Sequence, residues 1–131
     1  MLVRDIGEFK LIDKLTNVLD TQDSPKLRRL VNPVGDDAAA WITREGFSAI
    51  TTDTLVEGVH FSRETTSWKD LGWKCIAVNL SDIAAMGCEP AYSTVTLGLR
   101  GDIPIKGLLE MYRGMIDAAR RYGAILVGGD V

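Results

Sequence analysis

From Ser67 to Asp130 the chain alternates two helical stretches with two short apolar runs, and that alternation limits what it can fold into. Ser67 is a good N-cap, and Asp70 follows near the positive end of the helix dipole. The helix is expected to run to Met86 and stop at Gly87, with Pro90 just beyond. Ala91 to Leu99 alternates, placing Val95, Leu97 and Leu99 on one face of a strand. Asp102 is expected to cap the next helix, with Pro104 in its first turn. Leu108, Tyr112, Met115 and Ala119 form its buried stripe. Gly123 ends it after Arg120 and Arg121, which suit the negative end of the dipole. Ala124 to Val127 is an all-apolar strand running into Gly128, Gly129 and Asp130.

Upstream, Phe9, Ile12, Leu15, Val18 and Leu19 recur at helical spacing, so residues 6–20 read as an amphipathic helix. Thr21 to Asn32 is polar, holds Pro25, Lys26, Arg28 and Arg29, and reads as a solvated loop. Pro33 to Asp37 reads as a turn. Ala38–Thr43 and Phe47–Thr52 read as two strands joined by a hairpin turn at Glu45-Gly46. Thr54–Thr66 is a loop holding Gly58 and the single histidine, His60. The order helix, strand, strand, helix, strand, helix, strand implies helices packed over one face of a sheet. A chain of 131 residues fits one domain and needs no disulfide or zinc staple.

Several classes are disfavoured. The net charge is -3 and no basic block appears, which argues against nucleic acid as a partner. Cys75 and Cys88 lack CxxC spacing, so neither a disulfide framework nor a zinc site is expected. The first residues carry charges where a signal peptide needs an apolar stretch, and no apolar run approaches the roughly 20 residues of a membrane helix. A reducing cytoplasm is the simplest compartment. There is no P-loop and no G-x-G-x-x-G after a strand, and His60 has no neighbouring His or Cys ligand.

The informative residues are acids in apolar surroundings. Asp36 and Asp37 precede Ala-Ala-Ala-Trp41; Asp53 and Asp130 end apolar runs; Asp82 lies inside a helix, with Asn79 on the same face. Singly, each reads as a cap, turn or strand-end acid. Together they suggest a ligand site at strand ends, where carboxylates repel unless cations lie between them. Carboxylates with threonine hydroxyls suit Mg2+. Gly128-Gly129 allows close backbone approach to a ligand.

Gly7-Glu-Phe9, Gly35-Asp-Asp-Ala38, Thr51 through Glu57-Gly-Val-His-Phe61, Gly72-Trp-Lys74, Asn79 through Gly87 and Gly128-Gly-Asp130 occur in order. Together they closely resemble the N-terminal part of the thiamine-monophosphate kinase family, in the superfamily of aminoimidazole ribonucleotide synthetase. The segment 57–61 points to the thiamine-phosphate branch. The resemblance implies an α+β domain with a ferredoxin-like sheet and helices on one face, truncated here. In that reading residues 1–131 are an N-terminal ATP- and magnesium-binding dimerisation domain without the C-terminal domain. It implies ATP-dependent phosphorylation of thiamine monophosphate to thiamine diphosphate by a homodimer. By the same resemblance Asp37, Thr51, Thr52, Asp53, Asp82 and Asp130 match magnesium positions. Tyr112, Gly129 and Asp130 match ATP contacts, and His60 matches a thiamine-phosphate contact. Asp36 belongs to the same motif with no assigned role, and no residue is assigned as an acid or base. The competing readings are another superfamily enzyme with a different small substrate, and a non-catalytic module that binds divalent cations or nucleotide and dimerises.

Overall fold

The computed structural model describes residues 5–32 and 36–131. In chain order it holds α1 (Glu8–Leu19), a 3-10 turn (Pro25–Arg29), β1 (Leu30–Asn32), β2 (Ala39–Ile42), β3 (Phe47–Ile50), α2 (Trp68–Ala85), β4 (Tyr92–Thr96), α3 (Ile105–Arg121) and β5 (Ile125–Asp130). This is the expected α+β class. Among the described residues the strands form two small sheets, antiparallel β1-β2-β3 and parallel β4-β5. The parallel pair requires a crossover, and α3 is that crossover. Among the described residues no helix is long and apolar enough to cross a membrane.

The core lies where α2 packs on α3 and α3 on β5. Leu71, Ile76, Met111, Met115, Ala118, Ala119 and Ala124 are buried there. The two helices touch backbone to backbone. A Cβ on Gly72 would stand 1.8 Å from the Met111 carbonyl oxygen, and one on Gly114 would stand 2.0 Å from that of Lys69. Lower on α3, Gly107 makes room for the Trp68 indole, which would lie 2.3 Å from a Cβ there. Lys69 and Asp117 tie the same crossing at 2.8 Å. The Lys69 ammonium holds the Asp117 carboxyl below its ordinary value. That contribution is present above the carboxylate range and lost on acidification through it, and it is small because both side chains face water.

The helix ends follow the sequence. Ser67 Oγ accepts from the Asp70 amide at 3.0 Å, and Gly87 and Gly123 sit past α2 and α3 with φ of 66° and 80°. The Glu45-Gly46 turn joins β2 to β3, with the Thr43 amide donating to the Gly46 carbonyl.

Two expectations are corrected, and a third element is as expected but unburied. The stretch 21–32 is not a plain loop: Ser24 caps a 3-10 turn begun by Pro25, and β1 then pairs with β2. Asp102 does not cap α3; it pairs with Arg100, and the helix starts after Pro104 with no side-chain cap. The stripe of α1 is present, but it faces outward: none of its residues is buried and Phe9 is 82% exposed. The turn expected at 33–37 lies outside the described residues over positions 33–35.

Gly72→Ala should lower the denaturation midpoint by the equivalent of about 1–3 kcal/mol, because its methyl must separate two backbones. Gly98→Ala, with nothing within 4 Å of its Cβ position, should leave the midpoint unchanged. Equal midpoints for both variants would show that the helices do not cross at Gly72.

Candidate functional site

The open end of the β2–β3 hairpin places the first group. Ala39 pairs with Ile50, so Asp37 and Thr51 flank the last rung. The Thr51 hydroxyl lies 3.0 Å from the Asp37 carbonyl oxygen and 2.8 Å from an Asp82 carboxylate oxygen on α2. One hydroxyl proton faces two acceptors, and the hydroxyl oxygen keeps lone pairs for a ligand. Thr51 and Asp82 are half-buried, while Asp37, Thr52 and Asp53 are exposed. Asp36 is spent within the protein. Asn32 Nδ2 donates to one of its oxygens at 2.6 Å and the Asp37 amide to the other at 2.9 Å, which holds its carboxyl below the ordinary value. Asn79 shares the helix with Asp82, but its amide donates to the Cys75 carbonyl of its own helix.

Among the described residues no three His, Cys, Asp or Glu side chains converge. The six residues expected at magnesium therefore do not form an all-carboxylate cage. What the structure brings together is one carboxylate, one hydroxyl and one backbone carbonyl. This all-oxygen set suits a hard cation such as Mg2+, which binds through one or two carboxylates and completes its shell with water and phosphate oxygens.

The second group surrounds a cavity of about 770 Å3 between α3 and the end of β5. Tyr112, Arg120, Gly128, Gly129 and Asp130 line it, so the three positions linked to ATP stand together. Such a volume fits a nucleotide-sized ligand. The two glycines differ. A Cβ on Gly129 would lie 1.9 Å from the Val95 carbonyl oxygen, so that glycine makes room for β4, whereas Gly128 has open space around it. Close approach by a ligand is thus offered at Gly128. Arg120 escaped the sequence reading because it looked like a helix-end charge. Its spacing after Tyr112, with Ile116 and Ala119 between, is the signal that puts it on the same wall.

His60 forms a third group in the loop before α2. Its Nδ1 accepts from the Val56 amide at 3.0 Å, and Lys74 of α2 donates to its carbonyl at 2.5 Å. Lys74 closes the Gly72-Trp-Lys74 segment quoted above, which the sequence left without an assigned role. Both cysteines are half-buried and free, and burial pushes the Cys75 thiol above its ordinary value, which makes it an inert core group.

The site thus lies in an α+β domain with an oxygen-donor set at a hairpin end and a cavity beside a Gly-Gly-Asp strand end. The family model described as "AIR synthase related protein, N-terminal domain" matches residues 35–131, and the chain belongs to that family. It is 42% identical over 98 residues to a thiamine-monophosphate kinase of Synechococcus elongatus, covering 74% of this chain and 30% of that one. The thiamine-monophosphate kinase of Bacillus subtilis matches with the same identity and coverage. The solved structure "AaThiL complexed with AMPPCP and TMP" superposes with a TM-score of 0.86 at 34% identity, over 99% of this chain and 38% of that one. The chain therefore spans well under half the length of the curated relatives it matches.

Thr51→Val should cost about 1 kcal/mol in a denaturation experiment, since Asp82 and the Asp37 carbonyl lose their shared donor, while Thr51→Ser should stay near wild type. A valine variant with an unchanged midpoint would show that the hydroxyl does not bridge them.

Proposed function

We propose that this chain is the nucleotide- and magnesium-binding domain of an enzyme that transfers a phosphoryl group from ATP to thiamine monophosphate, giving thiamine diphosphate. The observation that carries the reading is the agreement over 99% of the chain with AaThiL in complex with AMPPCP, a non-hydrolysable ATP analogue, and TMP. On this reading the cavity of Tyr112, Gly129 and Asp130 takes the nucleotide, with Arg120 as the cation of its wall. Asp82, Thr51 and the Asp37 carbonyl would hold Mg2+, with the exposed Thr52, Asp53 and Asp130 as the further oxygen donors. When bound, the metal offsets the repulsion between phosphates and aligns them for in-line transfer.

The acceptor is a phosphate monoester, largely dianionic at pH 7, so its oxygen attacks without a general base. The chain's own residues bind and orient: Tyr112 and Gly128 shape the nucleotide wall, and His60 serves the acceptor. The remaining acceptor contacts fall to a second domain, in the length of the relatives that this chain does not span. We place the enzyme in the cytoplasm, in keeping with two unpaired thiols. We also propose a homodimer, because the outer face of β4–β5 presents Tyr92, Ile125 and Val127, at 75%, 56% and 55% exposure, as an apolar surface.

In the full-length enzyme, Asp82→Asn should cut turnover at limiting Mg2+ by about a hundredfold or more while leaving the fold intact, because the amide lacks the charge the cation favours. Near-normal formation of thiamine diphosphate by that variant would remove Asp82 from the metal. Tyr92→Asp should convert the dimer to a monomer in sedimentation at about 10 µM, a concentration where weak dimers dissociate; an unchanged sedimentation coefficient would place the interface elsewhere.

A further inference from the structure

The turn that carries His60 is closed by its own backbone. The Val56 carbonyl accepts from the amides of Val59 and His60 at 3.2 and 2.8 Å, and the Gly58 amide donates to the Phe61 carbonyl at 2.8 Å. Two further bonds involve His60 from outside that ladder: the Val56 amide donates to its Nδ1, and the Lys74 ammonium donates to its carbonyl. A ring nitrogen that accepts from an amide must present its lone pair, so the neutral imidazole carries its proton on Nε2. His60 is exposed, and its Nε2 has no partner among the described residues. The residue thus offers one outward N–H donor, its tautomer set by the Val56 amide, on a short hydrogen-bonded turn.

Lys74 is what joins that turn to the core. It follows Leu71 and Gly72, both buried at the α2–α3 crossing, so its stem starts from the best-held part of the molecule. Among the described residues it makes the one side-chain hydrogen bond from α2 to the His60 backbone. We infer that Lys74 is a positioning residue for the acceptor: by clamping the His60 carbonyl it fixes the turn that locks His60 as the Nε2–H tautomer and aims that donor at the acceptor phosphate. This rests on the proposed role of His60 toward the acceptor. A charge-assisted hydrogen bond to a carbonyl is stronger than a neutral one, which suits an anchor across an exposed loop.

The test is a double-mutant cycle in the full-length enzyme, read as KM for thiamine monophosphate and for ATP. Lys74→Met should raise KM for thiamine monophosphate by about tenfold, the effect of one lost charge-assisted hydrogen bond, with KM for ATP changed less than about twofold. Lys74→Arg should restore most of it. In a His60→Ala background, Lys74→Met should add nothing, because its effect passes through His60. A further tenfold rise in that background would overturn the inference and make Lys74 a direct phosphate contact. An equal rise for both substrates would overturn it as well, and would mark Lys74 as a structural tie only. If His60→Ala itself leaves KM for thiamine monophosphate unchanged, the acceptor role of His60 fails. If His60→Ala raises that KM while Lys74→Met does not, the positioning role alone fails.

Discussion

The contact of α2 and α3 through Gly72 and Gly114 sets the geometry of everything that follows. With a carbonyl oxygen standing within 2.0 Å of where either methyl would be, neither helix can shift its axis without opening the core. Interiors packed to this density respond to strain by rearranging as a unit and do not yield locally. Asp82 and Lys74 ride on α2; Tyr112 and Arg120 ride on α3. The spacing between the Asp82 oxygens, the His60 loop and the cavity wall, to which the proposed reading gives metal, acceptor and nucleotide, is therefore inherited from one glycine-paired crossing. Such precision matters for phosphoryl transfer, where catalysis is mostly positioning and small displacements are costly.

The hairpin adds the second constraint. Its rungs run Ala39↔Ile50 to Ile42↔Phe47, so the residues beyond the last rung are neighbours by register. A slip of β3 by one residue would turn Thr51 away from Asp82 and reverse the faces of that strand against β2. Asn32 secures the approach to this end by holding Asp36, the first acid of an adjacent pair. That leaves Asp37 to supply its carbonyl to Thr51 and its carboxylate to solvent. Two neighbouring acids of the same motif thus have separate duties, one structural and one open to a ligand.

Much of this was legible in the sequence, and the gaps have physical causes. Ser67, Gly87 and Gly123 announced helix ends because capping is local chemistry, decided by a few consecutive residues. Glu45-Gly46 announced the hairpin for the same reason. β1 was not legible: three residues carry no usable period, and the strand exists only because β2 pairs with it across a bulge. The 3-10 turn did leave a trace, since Ser24 followed by Pro25 is a cap and a first-turn proline. Asp102 misled because Arg100, two residues away, outcompetes the helix amides for its carboxylate. The glycines of the crossing could not be read at all, because nothing in Gly72 or Gly114 names the backbone each will meet. The Asp37–Thr51–Asp82 group was anticipated by resemblance to a family, and the structure shows how hairpin register brings it together.

Charge is the remaining constraint on the proposed chemistry. Two like unit charges about 4 Å apart repel by about 4 kcal/mol at an effective dielectric of 20, and a phosphate dianion beside a triphosphate involves several such pairs. The described site supplies few fixed cations against this: Arg120 in the nucleotide cavity and Lys74 behind His60. A permanent cation at the acceptor phosphate would bind the more highly charged diphosphate product better than the monophosphate, and so slow its release. A neutral Nε2–H donor avoids that bias, since it contributes a hydrogen bond that does not grow with each added charge as a full ion pair does. Placing the ammonium one step back, on the carbonyl, keeps its field near the site and takes it out of direct contact with the product. On the proposed reading the mobile positive charge then belongs to ions that arrive and leave with the phosphates, and the protein keeps fixed only the groups that orient.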